Sequence, residues 1–314
     1  MNYRVAYLVA QHRYPKALVF NLDQFGLQIL SVGNRTRVER GTKSVPIIGG
    51  DDKRQITGVP IVSCANDIVG LQLIWQGKTS KSHPLEAHRS EKMHFSHSEN
   101  HWSNFETMKD LFLNILGPHI EAVKEELECS PLQRSLLLLD VWKHHYSPEF
   151  RSFMDNTFPL IDIVYIPPGT TGEAQVCDLV VNKKMKEYAT AATSEEIARN
   201  VASQLEARER TGDTSPIGVD VRLSTLKPLV CRGMKDALAF FSTDEGASLI
   251  AKGFERAGIS KCFSLPFQKE AINWVNKKGV DLALKPVFQQ TRESPPSAAL
   301  HGQEPIAVVS GTDE

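Results

Sequence analysis

Two aspartates stand at the ends of apolar runs, and that placement is the first chemical signal in the sequence. Asp23 closes the run ALVF (17–20) that continues to Leu22, and Asp140 closes LLLL (136–139). A carboxylate in such a position loses hydration, which is costly unless a metal ion, a cation or hydrogen bonds offset the loss. Several carboxylates converging from strand ends can hold two divalent ions for phosphoryl transfer. One ion then activates a water or hydroxyl and the other stabilises the leaving oxygen. Oxygen-only donors favour Mg²⁺ or Mn²⁺ over zinc. For any one acid the alternative is a structural residue that caps a helix or pairs with Lys or Arg. Asp51 and Asp52 lie in a Gly/Lys-rich loop and Asp162 begins its strand rather than ending it, so these three read as surface or structural acids.

The elements that must position such acids follow from the periodicity. Residues 3–14 carry Val5, Leu8 and Val9 at helical spacing ahead of Pro15, which disfavours helix in the residue before it. The runs at 17–22 and 26–30 predict strand on either side of Asp23, and 55–64 and 70–76 predict two more strands joined by a short turn. The segment 78–100 is polar and histidine-rich and shows no element by its periodicity. Ser103 with Glu106 has the spacing of a capping box and opens a long helix to about Glu128, with Gly117 and Pro118 kinking or interrupting it. LLLL at 136–139 predicts a strand buried on both faces. A helix at 147–157, a strand at 161–166, the loop PPGTTG at 167–172 and a helix from Cys177 to Tyr188 follow. Further helices are expected at 193–210, 224–242 and 244–257, the last ended by Gly258.

An antiparallel meander followed by strands alternating with helices predicts an α/β fold, a mixed sheet flanked by helices of the ribonuclease H-like kind. A doubly wound nucleotide-binding fold would need G-x-G-x-x-G or G-x-x-x-x-G-K-[ST], and neither occurs. Residues 1–190 are expected to form the catalytic core and 191–288 a helical C-terminal extension. From Gln289 the Ser/Pro/Gly-rich composition predicts a disordered tail, 289–314.

With 314 residues and 41% hydrophobic content the chain can bury a sizeable core. No apolar stretch reaches the roughly 18 residues a membrane helix needs, and the polar start carries no signal peptide. Five scattered cysteines without a C-x-x-C pair suggest reduced thiols rather than a disulfide framework or zinc ribbon. The net charge of −1 gives no global attraction for nucleic acid, so any such contact must be local.

Several blocks, in order, resemble the DDE superfamily endonucleases of the pogo, Tigger and jerky-like transposases in the mariner group. They are NLDQ with Gly26 (from 21), DDKRQITG (51–58), GKT with His83 and Pro84 (from 77), HSENHWSN (97–104), LDVWKHH (139–145), and the stretch from Pro167 to Asp178 with Gln175, Asn182 and Lys183. The resemblance covers roughly residues 3–290, most diffusely after 190. It alone singles out Asp178 as the third acid. It implies a ribonuclease H-like fold in which Asp23, Asp140 and Asp178 bind two Mg²⁺ or Mn²⁺ ions for DNA strand cleavage and strand transfer. It also implies DNA as partner, a nuclear location, and room for a homo-oligomer but no membrane. The other class of function is a catalytically idle, co-opted nuclear DNA-binding or protein-interaction module.

Departures from the family pattern are Phe25 for the usual Thr, Val176-Cys177 for the Pro-containing dipeptide before the third acid, and the glycines Gly169 and Gly172 in the preceding loop. Family members carry helix-turn-helix domains ahead of the catalytic domain. Here Met1 stands about two helical turns before the first strand, so the expectation is that this part was lost or left out of the gene. The cations placed to meet a DNA backbone are Lys53, Arg54, Lys143, His144, Lys183 and Lys184, with Lys186 and the run Arg35, Arg37, Arg40 and Lys43 beside them. Each also reads as a solvated surface charge, and His144-His145, directly after the second acid, either as groups that reach DNA phosphate or the metal site or as a solvated loop. His94, His97 and His101 have metal-like spacing but precede the helix cap, which favours a strand end or loop over zinc. Trp102 and Trp142 could stack on bases, though core packing is the simpler reading.

Overall fold

The computed structural model describes residues 1–30 and 53–278. The expected tail at 289–314, the acids Asp51 and Asp52, and the basic run from Arg35 to Lys43 lie outside the described residues. Helix α1 (Asn2–His12) buries Val5, Ala6, Leu8 and Val9 and stops at Arg13, whose φ of 49° is left-handed and whose N–H returns to Val9 O. Strand β1 (Val19–Leu22) is wholly buried. Asp23 follows it directly, before the short strand β2 (Phe25–Gln28). The long strands β3 (Gln55–Ser63) and β4 (Ile68–Gln76) come next.

The histidine-rich segment, where a strand end or loop was expected, contains a strand, β5 (Met93–Ser98), which pairs parallel with β4. Only Met93 and Phe95 supply its apolar side, too few for a periodic signal; the backbone of β4 supplies the rest. Helix α2 (Phe105–Leu111) begins one residue later than the expected box. Asn104 accepts from Thr107 N–H at 3.0 Å and Thr107 Oγ1 accepts from Asn104 N–H at 2.9 Å, so Asn104 and Thr107 form the reciprocal cap in place of Ser103 and Glu106. A π turn over 112–116 joins α2 to α3 (Gly117–Glu126), so the interruption expected near Gly117 and Pro118 is a local unwinding rather than a break.

Strands β6 (Ser135–Asp140) and β7 (Ile161–Ile166) flank α4 (Pro148–Thr157), which is capped by Ser147 Oγ. A short helix α5 (Thr171–Ala174) and a second π turn, Cys177–Val181, lead into α6 (Asn182–Thr211). Two helices were expected in this stretch; one continuous helix is found, because no breaker lies between Tyr188 and Thr193. Helices α7 (Leu223–Phe241), α8 (Asp244–Arg256) and α9 (Leu265–Lys278) complete the helical C-terminal part, and Gly258 at φ 71° ends the α8 region as expected.

The sheet runs β5-β4-β3-β1-β6-β7, with β2 on β3. Strand β3 is antiparallel to β1 and β4, whereas β1, β6 and β7 are mutually parallel. Three antiparallel strands continued by parallel crossovers, with helices on both faces, form a ribonuclease H-like mixed sheet. Alternation along each strand divides the core. Val19, Leu136 and Leu138 face α1, the second π turn and α6–α8. Phe20, Leu22, Leu137 and Leu139 face α2–α4. Side chains buried to this degree each contribute about 1.5–3 kcal/mol. Asp162 is structural, as expected: it takes Arg134 through two bonds of 2.6 and 2.7 Å and the Tyr14 hydroxyl at 2.6 Å, tying the end of α1 to β6 and β7.

Candidate active site

Register explains why two distant apolar runs deliver acids to one place. Asn21 pairs with Leu138 across β1 and β6. Two residues further along each parallel strand are Asp23 and Asp140, neighbours at the carboxyl edge of the sheet. Both have the parity of Val19 and Leu138, so they leave the sheet on the face covered by the second π turn and α6.

The π turn brings in the third acid. Asn21, buried within β1, holds it through both ends of its amide: Nδ2 donates to Leu138 O and Gln175 Oε1 at 3.1 and 2.8 Å, and Oδ1 accepts from Cys177 N–H at 3.0 Å. Gln175 Nε2 in turn donates to Leu22 O at 3.0 Å. Asp178 is thereby pinned opposite Asp23, and Asn182, one turn on, bridges them. Its Nδ2 donates to Asp23 Oδ2 at 2.7 Å and to Asp178 Oδ1 at 2.8 Å. Asn182 Oδ1 is buried and has no partner among the described residues.

Two carboxyls this close repel when both are ionised. Burial first, then the charge of Asp178 and a hydrogen bond with it, raise the Asp23 carboxyl to a pKa of about 7, against bonds from Gln175 and the Gln24 N–H that pull it down. Cys177, fully buried beneath the pair, has its thiol pushed well up by burial and then by Asp23, which leaves it inert as a nucleophile.

Asp140 is held separately. His145 Nδ1 lies 3.0 Å from Asp140 Oδ1 and 3.1 Å from its backbone oxygen, while His145 Nε2 is buried without a partner among the described residues. The solvated-loop reading therefore fails for His145, which is 1% exposed. The apolar floor of Phe150 and the edge of Trp142 enclose its ring. The structure thus brings Asp23 and Asp178 into contact and sets Asp140 on the adjacent strand end. Among the described residues no three His, Cys, Asp or Glu side chains gather closely enough to hold one ion. The donor set nevertheless suits a hard divalent cation. It consists of carboxylate oxygens with an orphaned amide oxygen beside them, and a cation there would relieve the repulsion within the pair.

The expected cations divide. Lys183 and Lys186 border, with Asp178, Asn182 and Thr190, an open groove of about 660 Å³. Lys183 is exposed and only loosely paired with Glu187 at 4.0 Å, whereas Lys184 is engaged by Glu187 at 3.6 Å and by the rings of Phe240 and Tyr188. Lys143 is exposed, and His144 packs tilted against Trp142 at 4.3 Å with its imidazole pKa lowered by burial and then by Lys143. Lys53 is exposed and Arg54 half-buried just ahead of β3. The histidines do not form a shared site. His94 binds Asp110 at 2.8 Å, His97 meets His83 at 3.1 Å, and the odd spacing of 94 and 97 sends them to opposite faces of β5.

The sequence profile of the DDE superfamily endonuclease family matches residues 62–241, more than half of the chain. The chain belongs to this family. The match contains Asp140 and Asp178 and begins after Asp23, which the antiparallel return of β3 along β1 places beside them. The DDE endonuclease chain is similar to solved structures of the Mos1 mariner paired-end complex with Mn (9% identity, TM-score 0.43, covering 84% of this chain and 61% of that one) and the Mos1 strand transfer complex (9%, 0.41, 90% and 62%). It also matches the Mos1 transposase paired-end complex with the left transposon end (9%, 0.37, 79% and 62%). The chain spans about three fifths of the length of these structures. No curated protein sequence matches it.

Residues whose role the sequence did not specify are the supports rather than the acids; of these only His145 was placed near the metal site. Asn21, Gln175, Asn182 and His145 each lie within the blocks that carry the family resemblance, which was the available signal; their hydrogen-bond partners were not legible.

Proposed function

We propose that this DDE endonuclease chain is a metal-dependent DNA-cutting domain of the transposase type, with Asp23, Asp140 and Asp178 as its catalytic acids. The observation that carries the reading is the Asn182-bridged pair Asp23–Asp178 at the strand edge that also ends in Asp140. These three acids would hold Mg²⁺ or Mn²⁺, two ions in the family pattern. The ions, when bound, supply a Lewis acid for the attacking and leaving oxygens of a phosphodiester.

The chain's own part is preorganisation. Asn21 and Gln175 fix the π turn to β1, Asn182 sets the spacing of two carboxylates, and His145 aims the third. Lys183 and Lys186 border the groove where a phosphate backbone would run, with Lys143 and His144 beside Asp140 and Lys53 with Arg54 at the start of β3. Membership of the pogo, Tigger and jerky-like subgroup and a nuclear location belong to the same proposal, supported by the blocks NLDQ, DDKRQITG and HSENHWSN.

Purified protein with Mn²⁺ and nicked or hairpin DNA is expected to cleave, and Asp140→Asn to lose at least ~100-fold. Cleavage by the wild type no greater than by Asp140→Asn would sink the reading. The second reading, an idle nuclear DNA-binding or protein-interaction module, is favoured by the engagement of Asp140 with His145, and by the fact that no three acids converge among the described residues. Mn²⁺ titration separates the two, because a working site binds Mn²⁺ in a manner dependent on Asp23 and Asp178.

A further inference from the structure

The strand β5 ends in a turn that holds a large aromatic ring out in solvent. Trp102 is 65% exposed, against 0% for Trp75 on the neighbouring strand β4, so the core-packing reading does not apply to it. Its backbone is nevertheless fixed from both sides. Asn100 Oδ1 accepts from Trp102 N–H at 3.2 Å, and Ser98 Oγ donates to Trp102 O at 2.7 Å. His101, immediately before it, sits at φ 60°, a left-handed conformation that a residue with a Cβ adopts at a cost. Beyond Trp102 the chain is locked again by the reciprocal cap of Asn104 and Thr107. A turn under strain, anchored at both ends and presenting an unburied indole, is the geometry of a contact residue rather than of a loose loop.

Position and surroundings say what the ring meets. Ser98 pairs with Gln76 at the end of the parallel β4–β5 ladder. Strand β5 runs parallel to β4, and β4 is parallel to β1 through their shared antiparallel partner β3. The turn therefore points the same way along the sheet as the ends of β1 and β6 at Asp23 and Asp140, five residues beyond the level of Asp23. Three strand spacings separate β5 from β1, roughly 14 Å, and the register that sets Asp23 level with Pro60, Leu71 and Met93 puts Ser98 a further five residues along, so the turn stands roughly 22 Å from Asp23, or about six nucleotides along a DNA strand. The residues beside the ring in sequence are Asn100, His101, Ser103 and Asn104, all polar. An apolar protein partner would ask for apolar neighbours around an aromatic anchor, whereas a base offers a π-face within a polar, phosphate-lined strand.

We propose that Trp102 is a base-stacking site for an unpaired nucleotide of the DNA substrate, roughly six or more nucleotides from the strand held at the acids. This rests on the DNA reading above. The ring supplies a sequence-tolerant platform and favours DNA that is frayed, tailed or distorted over an intact duplex.

Binding is measured with the full chain in EDTA at fixed salt, so that cleavage does not enter, on a blunt duplex and on the same duplex carrying an unpaired thymidine tail. The wild type is expected to prefer the tailed DNA, with Trp emission quenched on binding. Trp102→Ala is expected to lose roughly tenfold on the tailed DNA and little on the blunt one, with Trp102→Phe in between. Lys183→Ala weakens both DNAs alike. If the wild type binds and Trp102→Ala binds tailed DNA equally well, the stacking site is overturned and the DNA reading stands. A wild type that binds neither DNA overturns both. If Trp102→Ala leaves DNA binding intact but shifts the mass of the particle in solution, the ring covers a protein surface, and the proposal is overturned in favour of that partner.

Discussion

Asp23 and Asp178 share a single amide group: Asn182 Nδ2 lies 2.7 Å from one carboxylate and 2.8 Å from the other. One neutral donor group thus stands between two groups that repel when both are charged. Hydrogen bonds from an amide soften that repulsion but cannot cancel a full charge, which is why the Asp23 carboxyl is raised to about 7.

Stability without metal is expected to fall as pH rises. The folded Asp23 carboxyl titrates near 7 and the unfolded one near ~3.9. Below the unfolded value both states carry the proton and the contribution is fully present. Between the two values only the folded chain keeps it, so stability is lost progressively and is gone above the folded value. Urea unfolding in EDTA checks this at about pH 5 and about pH 8. Asp23→Asn should gain on the wild type at the higher pH by up to a few kcal/mol. Parallel pH dependence in the two proteins would refute the assignment.

Replacing the bridge should expose the cost it hides. Asn182→Leu removes the donor from two carboxylates and is expected to lose about 1–3 kcal/mol in EDTA, with part of the loss recovered by Mn²⁺, which offers the pair a cation instead. Equal loss with and without Mn²⁺ would mean that the residue matters only as packing.

His145 can be separated from the stability of its surroundings. His145→Phe keeps a ring against Phe150 and Trp142 but removes the bond to Asp140. Stability is expected to change by less than about 1.5 kcal/mol, while Mn²⁺ affinity or cleavage falls roughly 10- to 100-fold. Unchanged metal binding and turnover would show that Asp140 needs no such support.

Helix α6 reaches the site because α7 lets it come close. A Cβ on Gly233 would sit 2.6 Å from both Ala189 Cα and Tyr188 O, backbone atoms that cannot swing aside. Gly233→Ala adds helix propensity worth about 1 kcal/mol, yet is expected to destabilise by a net ~1–3 kcal/mol and to weaken Mn²⁺ binding by shifting Asn182. A raised melting temperature in this variant would contradict the tight crossing.

The runs before Asp23 and Asp140 were legible because strands buried on both faces are apolar throughout, so an acid at their end stands out. Strand β5 was not, since its hydrogen bonds come from β4 and its sequence alternates too few apolar residues. The capping box was expected one residue early because Ser103 and Glu106 satisfy the same spacing rule as Asn104 and Thr107. Backbone extension at Asn104, which only the turn after β5 imposes, decided between them.

The sequence by itself determined the alternation of strands and helices, the two acids at strand ends and the blocks by which Asp178 could be named, because local pattern follows from local burial. Tertiary structure alone decided the rest. It placed Asp23 beside Asp140 by register, brought Asp178 to Asp23 through the amides of Asn21, Gln175 and Asn182, gave Asp140 to the buried His145, and left Trp102 in solvent. These are relations between residues far apart in the chain, set by which buried polar groups can satisfy one another once the sheet has closed.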